Sequence, residues 1–328
     1  MRAAQLPAGG QAEHMSRRLK PLPPSLAFAV FTAEEAKAAG VSAQRLRGSD
    51  ISRLGWGIYS RDDHQLTERA IVQAYCRSDP AVAAHGFTAA RAWGLPLPLT
   101  DVRWEVEGIR SPVRLNSTAS RRRSGTLVRW SNLALSREET ATSHRMLLTS
   151  RVRTWMDLAP HLSHDDLIRI GDHLVRHPRF RYEHRHAPYA TPAQLEQLLQ
   201  EYRGRGARRL REALSEVRVG ADSPAETTLR LEILRAGLPA PQLNVFLRVG
   251  SARLGRPDLS WPEWKVCVEH EGPSHLDRDQ QDQDIQRGER RRHHGWIEVQ
   301  TTAKDLRGNC ARGLRRITEA LRRQGWKS

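Results

Sequence analysis

Between Arg256 and Gly272 the chain reads Arg-Pro-Asp-Leu-Ser-Trp, a break at Pro262-Glu263, and then Val-Cys-Val-Glu-His-Glu-Gly after Trp264-Lys265. Carboxylates alternate with apolar residues along two successive strand-like segments. A strand turns successive side chains to opposite faces. A hairpin centred between Pro262 and Glu263 therefore sets Asp258 opposite Cys267, with Glu269 its diagonal neighbour and Glu271 on the same face. Leu259, Trp261, Val266 and Val268 fall on the other face. Three carboxylates gathered in this way repel one another and resist burial unless something compensates. A hard divalent cation does so, because Mg²⁺, or Mn²⁺ in its place, takes oxygen ligands. Such a metal makes hydroxide from water and steadies charge on a scissile phosphate. A solvated acidic strand face paired with arginines is the other reading that spacing alone permits.

The flanks supply a frame for these two strands. Ser223-Pro224-Ala225-Glu226 is a strong helix start, with Ser as N-cap, Pro at the first helical position and Glu at the third. Ala225, Leu229 and Ile233 share one face, and Gly237 ends the helix. Leu243, Val245, Leu247 and Val249 alternate, which predicts a half-buried strand over 242–249. The acidic strands are expected over 256–261 and 264–271. A polar helix at about 279–293, a strand at 296–300 and a last helix burying Leu306, Cys310, Leu314, Ile317 and Leu321 complete the order. The expected class is α/β of the α+β kind, with a mixed sheet flanked by helices.

Upstream, Thr32 and Glu35 form a capping-box pattern before a helix over 33–39 that stops at Gly40. Ser42 is placed to cap a second helix over 43–47, and the aromatic run Trp56-Gly57-Ile58-Tyr59 follows as a strand. That plan is a small winged helix-turn-helix over 26–63, with Arg45 and Arg47 as candidate nucleic-acid contacts. Residues 1–25 carry no continuous apolar stretch and are expected to be a disordered tail rather than a secretory signal. An α/β middle region over 64–185 is predicted to hold helices at 68–75, 88–93, 146–158 and 165–175, the last capped by Ser163. Its strands are expected at 102–106 and 126–130, around Arg121-Arg122-Arg123. Residues 176–192 read as a linker. A basic helix with Arg203, Arg205, Arg208, Arg209 and Arg211 follows, so 186–220 is expected to join the middle region to the C-terminal domain at 221–328.

Lysine and arginine number 53 against 37 aspartates and glutamates, a net charge of +16. A balance this basic favours a polyanionic partner, nucleic acid first among them. A high-GC genome, which inflates arginine without functional meaning, yields the same number. Cys76, Cys267 and Cys310 are odd in number and scattered, which fits a reducing cytoplasm and neither a disulfide framework nor a zinc pattern. His173 and His177 stand at helical i, i+4 spacing without an evident third ligand. No apolar run reaches the roughly 18 residues that a membrane span needs.

Pro257-Asp258, the run Val268-Glu269-His270-Glu271-Gly272 with His275 just after, Asp284 with Arg287, and Gly295-Trp296 resemble the PD-(D/E)XK nuclease superfamily, in its very-short-patch-repair-like branch. The likeness spans roughly residues 221–328. It implies a restriction-endonuclease-like sheet in which Asp258 and Glu269 bind Mg²⁺ and Glu226 of the first helix joins them; His275 is a candidate to activate water or orient a phosphate. It also implies that Asp284 and Arg287 brace the site, where helical spacing alone gives an ion pair. Arg287, Arg290 and Arg291, with Arg292, stand on that helix as candidate phosphate contacts. Glu271 falls where the family usually has lysine. Glu226 has a second explanation as the capping-box residue, and His275 as a plain hydrogen-bonding side chain beside a turn.

The segments Phe31-Thr32, Gly40-Val41-Ser42, Arg45-Leu46, Gly57-Ile58-Tyr59, 85–96 and 153–159 are similar to AbiEi-type antitoxins. Two functions are therefore expected. The first is a Mg²⁺-dependent endonuclease acting on DNA before RNA. The second is a DNA-binding regulator or antitoxin, with a toxin or operon partner, whose nuclease fold is degenerate.

Overall fold

The computed structural model describes residues 19–106, 108–118, 122–179, 183, 185–271 and 278–327, with backbone alone at 106 and 278–284. It is a mixed α/β protein that divides into two compact units at Pro80/Ala81. That single division differs from the boundaries expected at 63/64, 185/186 and 220/221.

In the first unit, β1 (Val30–Thr32), β2 (Ile51–Gly55) and β3 (Ile58–Arg61) form an antiparallel sheet in the order β1-β3-β2. Helix α1 (Ala33–Ala38) begins with the predicted capping box, Thr32 Oγ1 accepting from Glu35 N and Glu35 Oε2 from Thr32 N. The second helix is a correction. Ser42 Oγ does cap, accepting from Arg45 N, but only a 3₁₀ turn at Arg45–Arg47 follows. A turn this short offers no recognition helix. Packing also starts earlier than expected, since Leu22 and Leu26 join Phe31, Ala36 and Ile51 in the core. Helix α2 (Glu68–Ser78) completes the unit, its Arg77 bonded to Glu35 and to the Val30 carbonyl.

The second unit holds two larger sheets. Strands β4 (Ala83–Ala84), β7 (Val113–Asn116), β8 (Val128–Ser131), β9 (Thr140–Ser143) and β10 (Met146–Thr149) form one, in the order β8-β7-β4-β10-β9. The short pair β5 (Glu105–Val106) and β6 (Ile109–Arg110) stands beside it in sequence. Met146–Thr149, expected as helix, is a buried strand because Ser150 caps a new helix at Arg153 N and so ends the preceding run. Helices α3 (Gly86–Trp93), α4 (Arg151–Leu158), α5 (His164–Val175), α6 (Pro192–Glu201) and α7 (Ala207–Glu216) share one apolar core.

Leu231 of α8 (Pro224–Arg235) belongs to that same core. Buried Asp172 of α5 accepts from Arg230 Nη2 and Thr227 Oγ1 of α8, each at 2.9 Å. The middle region and the C-terminal segment are thus one packed body. Where α5 meets the end of α7, Gly171 is required, because a Cβ there would lie 2.4 Å from Val217 Cγ2.

The C-terminal sheet runs β11 (Gln242–Leu243), β14 (Leu259–Trp261), β15 (Val266–Glu271) and β16 (Ile297–Thr302), antiparallel except for the parallel β15–β16 pair. One face carries Leu259, Trp261, Val266, Val268 and Val299 against α8 and α10 (Ala311–Arg323). The other packs Cys267 and Trp296 against Leu247 and Leu254 of a hairpin, β12 (Leu247–Val249) and β13 (Ala252–Gly255). The strand expected over 242–249 is broken at Asn244, whose φ of 49° no regular strand accommodates. Helix α9 (Arg278–His293) precedes β16. Among the described residues no helix is long and apolar enough to cross a membrane.

Candidate functional site

The strand pairing that builds the acidic face differs by two residues from expectation. Trp261 pairs with Val266 and Leu259 with Val268, so one further step brings Asp258 level with Glu269 rather than Cys267. Residues 262–265 form the connection, a 3₁₀ turn closed by Lys265 at φ 48°, where a two-residue turn was expected. A slip of two preserves which side each residue faces. The face assignment therefore stands, and Asp258 and Glu269 become direct cross-strand neighbours.

Asp258 Oδ2 accepts the backbone N–H of His270 at 2.7 Å. Its carboxyl is nevertheless pushed above the ordinary range, mainly by burial, against the lowering pull of that bond and of Arg179. Glu269 is raised too, by burial and by the nearby charge of Asp258, with Arg291 pulling the other way. Arg291 Nη1 donates to Glu269 Oε1 at 2.8 Å and to Glu298 Oε2 at 2.7 Å.

Glu226 joins them from α8. It is 4% exposed and pushed up to about 7 by burial first and the Asp258 charge second. Its Oε2 accepts from Asp222 N at 2.9 Å and Asn244 Nδ2 at 2.7 Å. Ser223 does cap the helix through Glu226 N, but Glu226 bonds one residue upstream of the N-cap. Its side chain faces the acidic centre instead of closing a capping box.

Sequence reasoning missed the polar frame around these carboxylates. Asn244 also donates from Nδ2 to the Gly220 carbonyl at 2.8 Å and from its backbone to the Asp258 carbonyl at 2.9 Å. Arg179, expected in a linker, donates from Nε to Asp222 Oδ2 at 2.7 Å, and Arg256 bonds the Asn244 carbonyl. An asparagine interrupting an otherwise apolar alternation was the available signal, since Asn tolerates the left-handed region.

The other predicted residues divide clearly. Glu271 is exposed at the end of β15, away from the buried pair. Arg291 is a correction: it is 1% exposed and engaged by Glu269, Glu298 and the Leu254 carbonyl, so it is not placed to meet phosphate. Arg290 and Arg292 are exposed on the same helix, and Arg287 is partly buried. Arg45 is tied to Asp50 by two bonds of 2.8 and 2.6 Å, whereas Arg47 is exposed. His275 and the Asp284 side chain lie outside the described residues.

Among the described residues, no three His, Cys, Asp or Glu side chains form a ready-made metal cage. The donor chemistry nonetheless suits a hard cation. Asp258 Oδ1 and Glu269 Oε2 have no hydrogen bond among the described residues, while the partner oxygen of each is held in place.

No family model matches the chain. It is similar to two uncharacterized proteins of Mycobacterium tuberculosis, one from strain CDC 1551 / Oshkosh and one from strain ATCC 25618 / H37Rv. Each is 24% identical over 287 residues, which span 85% of this chain and 95% of the relative. The match is longer than either compact unit alone.

Proposed function

We propose that this protein is a Mg²⁺-dependent endonuclease that hydrolyses phosphodiester bonds of DNA at the Asp258–Glu269 centre. The observation that carries the reading is the cross-strand placement of two part-buried carboxylates, each with raised proton affinity and one oxygen held by a donor. Mg²⁺ usually keeps several waters and binds through one or two carboxylates plus substrate phosphate, so a pair suffices where a full cage is absent. Asp258 and Glu269 would hold it, with Glu226 nearby. When bound, the ion supplies Lewis acidity and a water of lowered pKa.

The chain's own groups do the rest. His270 N–H and Arg291 orient one oxygen of each ligand. Glu226, titrating near neutral pH, is able to hold or release a proton beside them. The exposed arginines at 290 and 292 offer charge to a phosphate backbone.

The test is cleavage of duplex, nicked, mismatched and single-stranded DNA with Mg²⁺ or Mn²⁺. Cleavage that Asp258→Ala abolishes, without unfolding the chain, supports the reading. Inactivity of the native protein on every substrate sinks it. A second reading, a DNA-binding regulator with a degenerate centre, is favoured by Glu271 standing where lysine is usual. It expects metal-independent protection of DNA that Asp258→Ala leaves intact.

A further inference from the structure

Strands β7 and β8 run parallel with Arg114 level with Arg129. Like charges set directly opposite one another destabilise a sheet. The Arg114 guanidinium is partly buried and lies 5.5 Å from the Phe87 ring centroid. Among the described residues its side chain has no ion pair or hydrogen bond. Its Cδ would lie 3.2 Å from a Cβ at Gly86, so the buried glycine at the start of α3 lets this side chain pack closely there.

The charged groups that act on it are cationic. Arg91 of α3 and Arg129 both disfavour its charge, after burial. His161, whose ring is 5.9 Å from Phe87, is held below its usual range by burial and then by Arg114 and Arg205. His85 is buried with Nε2 unbonded, and burial with Arg114 and Arg153 holds it down at about 4.

Other arginines of this unit are neutralised: Arg153 is paired with Asp157 and Glu139, Arg176 with Glu183, and Arg230 with Asp172. Arg114 has Arg91 and Arg129 beside it instead.

We propose that Arg114, Arg129 and Arg91, with His161 and Arg205 at the margin, form a docking surface for the phosphate backbone of duplex DNA. These residues are distinct from the acidic centre and from the arginines of α9. Guanidinium groups match phosphate oxygens in bidentate geometry, and the incoming charge supplies the counter-ion that the sheet lacks. The proposal rests on DNA as substrate but not on cleavage.

The experiment is anisotropy of a labelled duplex with full-length protein, in chelator so that no cleavage occurs, across a salt series. The double variant Arg114→Gln/Arg129→Gln is expected to bind about tenfold more weakly near physiological salt, with a log–log salt slope shallower by roughly 1.8. Arg114→Lys/Arg129→Lys keeps the slope. Removing the repelling pair leaves the melting temperature unchanged or raised. An unchanged affinity and slope overturns the proposal, and so does a lowered melting temperature, which marks a structural role. Displacement by polyglutamate as effective as by unlabelled DNA overturns it in favour of an acidic protein partner. A native protein that binds no DNA removes this proposal, as does native binding with unaltered variants, whereas the nuclease reading falls only with inactivity in Mg²⁺ or Mn²⁺.

Discussion

Arg291 and Glu269 are joined at the floor of the acidic centre, Nη1 of a guanidinium that is 1% exposed donating to Oε1 at 2.8 Å. The same nitrogen reaches Glu298, and Nε reaches the Leu254 carbonyl at 2.9 Å. These contacts make Arg291 the positioner of one Glu269 oxygen. Breaking a buried ion pair from one side strands the other charge and costs about 3–5 kcal/mol. Arg291→Met is expected to lower unfolding stability by that order. Arg290→Gln, one residue away and exposed, is expected to change it by less than about 0.5 kcal/mol. Denaturant titration of both variants checks this, and equal effects would remove Arg291 from the structural account.

Glu271 invites the opposite expectation. It lies exposed at the end of β15, beyond the carboxylates that are buried together. Glu271→Gln is expected to shift stability by no more than about 0.5 kcal/mol. Cleavage is expected to fall by less than about tenfold, the effect of roughly 1.4 kcal/mol on the barrier. Single-turnover rates beside those of Asp258→Ala make the comparison. A loss as deep as that of Asp258→Ala would return Glu271 to the centre.

The helix starts at Thr32, Ser163 and Ser223 were legible because a capping side chain acts within three residues of itself. The two-faced character of β14 and β15 was legible for the same local reason, the alternation of the strand. Register was not, because it depends on a 3₁₀ turn at 262–264 that the dipeptide Pro262-Glu263 does not announce. Strand and helix were confused at Met146–Thr149, where a short apolar run suits either state and only pairing with β4 and β9 decides. Arg291 was misread because three successive arginines look alike in sequence. The helical turn puts one of them inward and leaves its neighbours in solvent.

Glu226 carries a pH dependence whose sign follows from its folded-state pKa of about 7, above the ordinary 4.5. A carboxyl raised in the folded state contributes stability below its unfolded pKa and loses that contribution as pH rises through the folded one. Without divalent ions, native protein should therefore lose stability between about pH 4.5 and 7 on account of this group, by up to roughly 3 kcal/mol. Glu226→Gln keeps an acceptor for Asp222 N and Asn244 Nδ2 but never ionises. Its melting temperature is expected to match native protein at pH 4.5 and exceed it at pH 8. A variant less stable than native protein at pH 8 would contradict the assignment.

Asn244 ties backbone conformation to the same carboxyl. It sits at φ 49°, 7% exposed, and its Nδ2 donates to both Glu226 and the Gly220 carbonyl. Alanine in the left-handed region costs about 1–2 kcal/mol, and a buried acceptor left without its donor costs about 1–3 kcal/mol more. Asn244→Ala is thus expected to destabilise by roughly 2–5 kcal/mol in denaturant unfolding. Asn244→Gly removes the conformational cost and leaves the acceptor cost, so it should fall about 1 kcal/mol short of the alanine variant. Both remove one of the two donors that hold Glu226 Oε2, and both should weaken Mg²⁺-dependent stabilisation to a similar degree. Indistinguishable unfolding curves for the two variants would mean that the left-handed turn carries no strain, and that Asn244 acts through its amide alone.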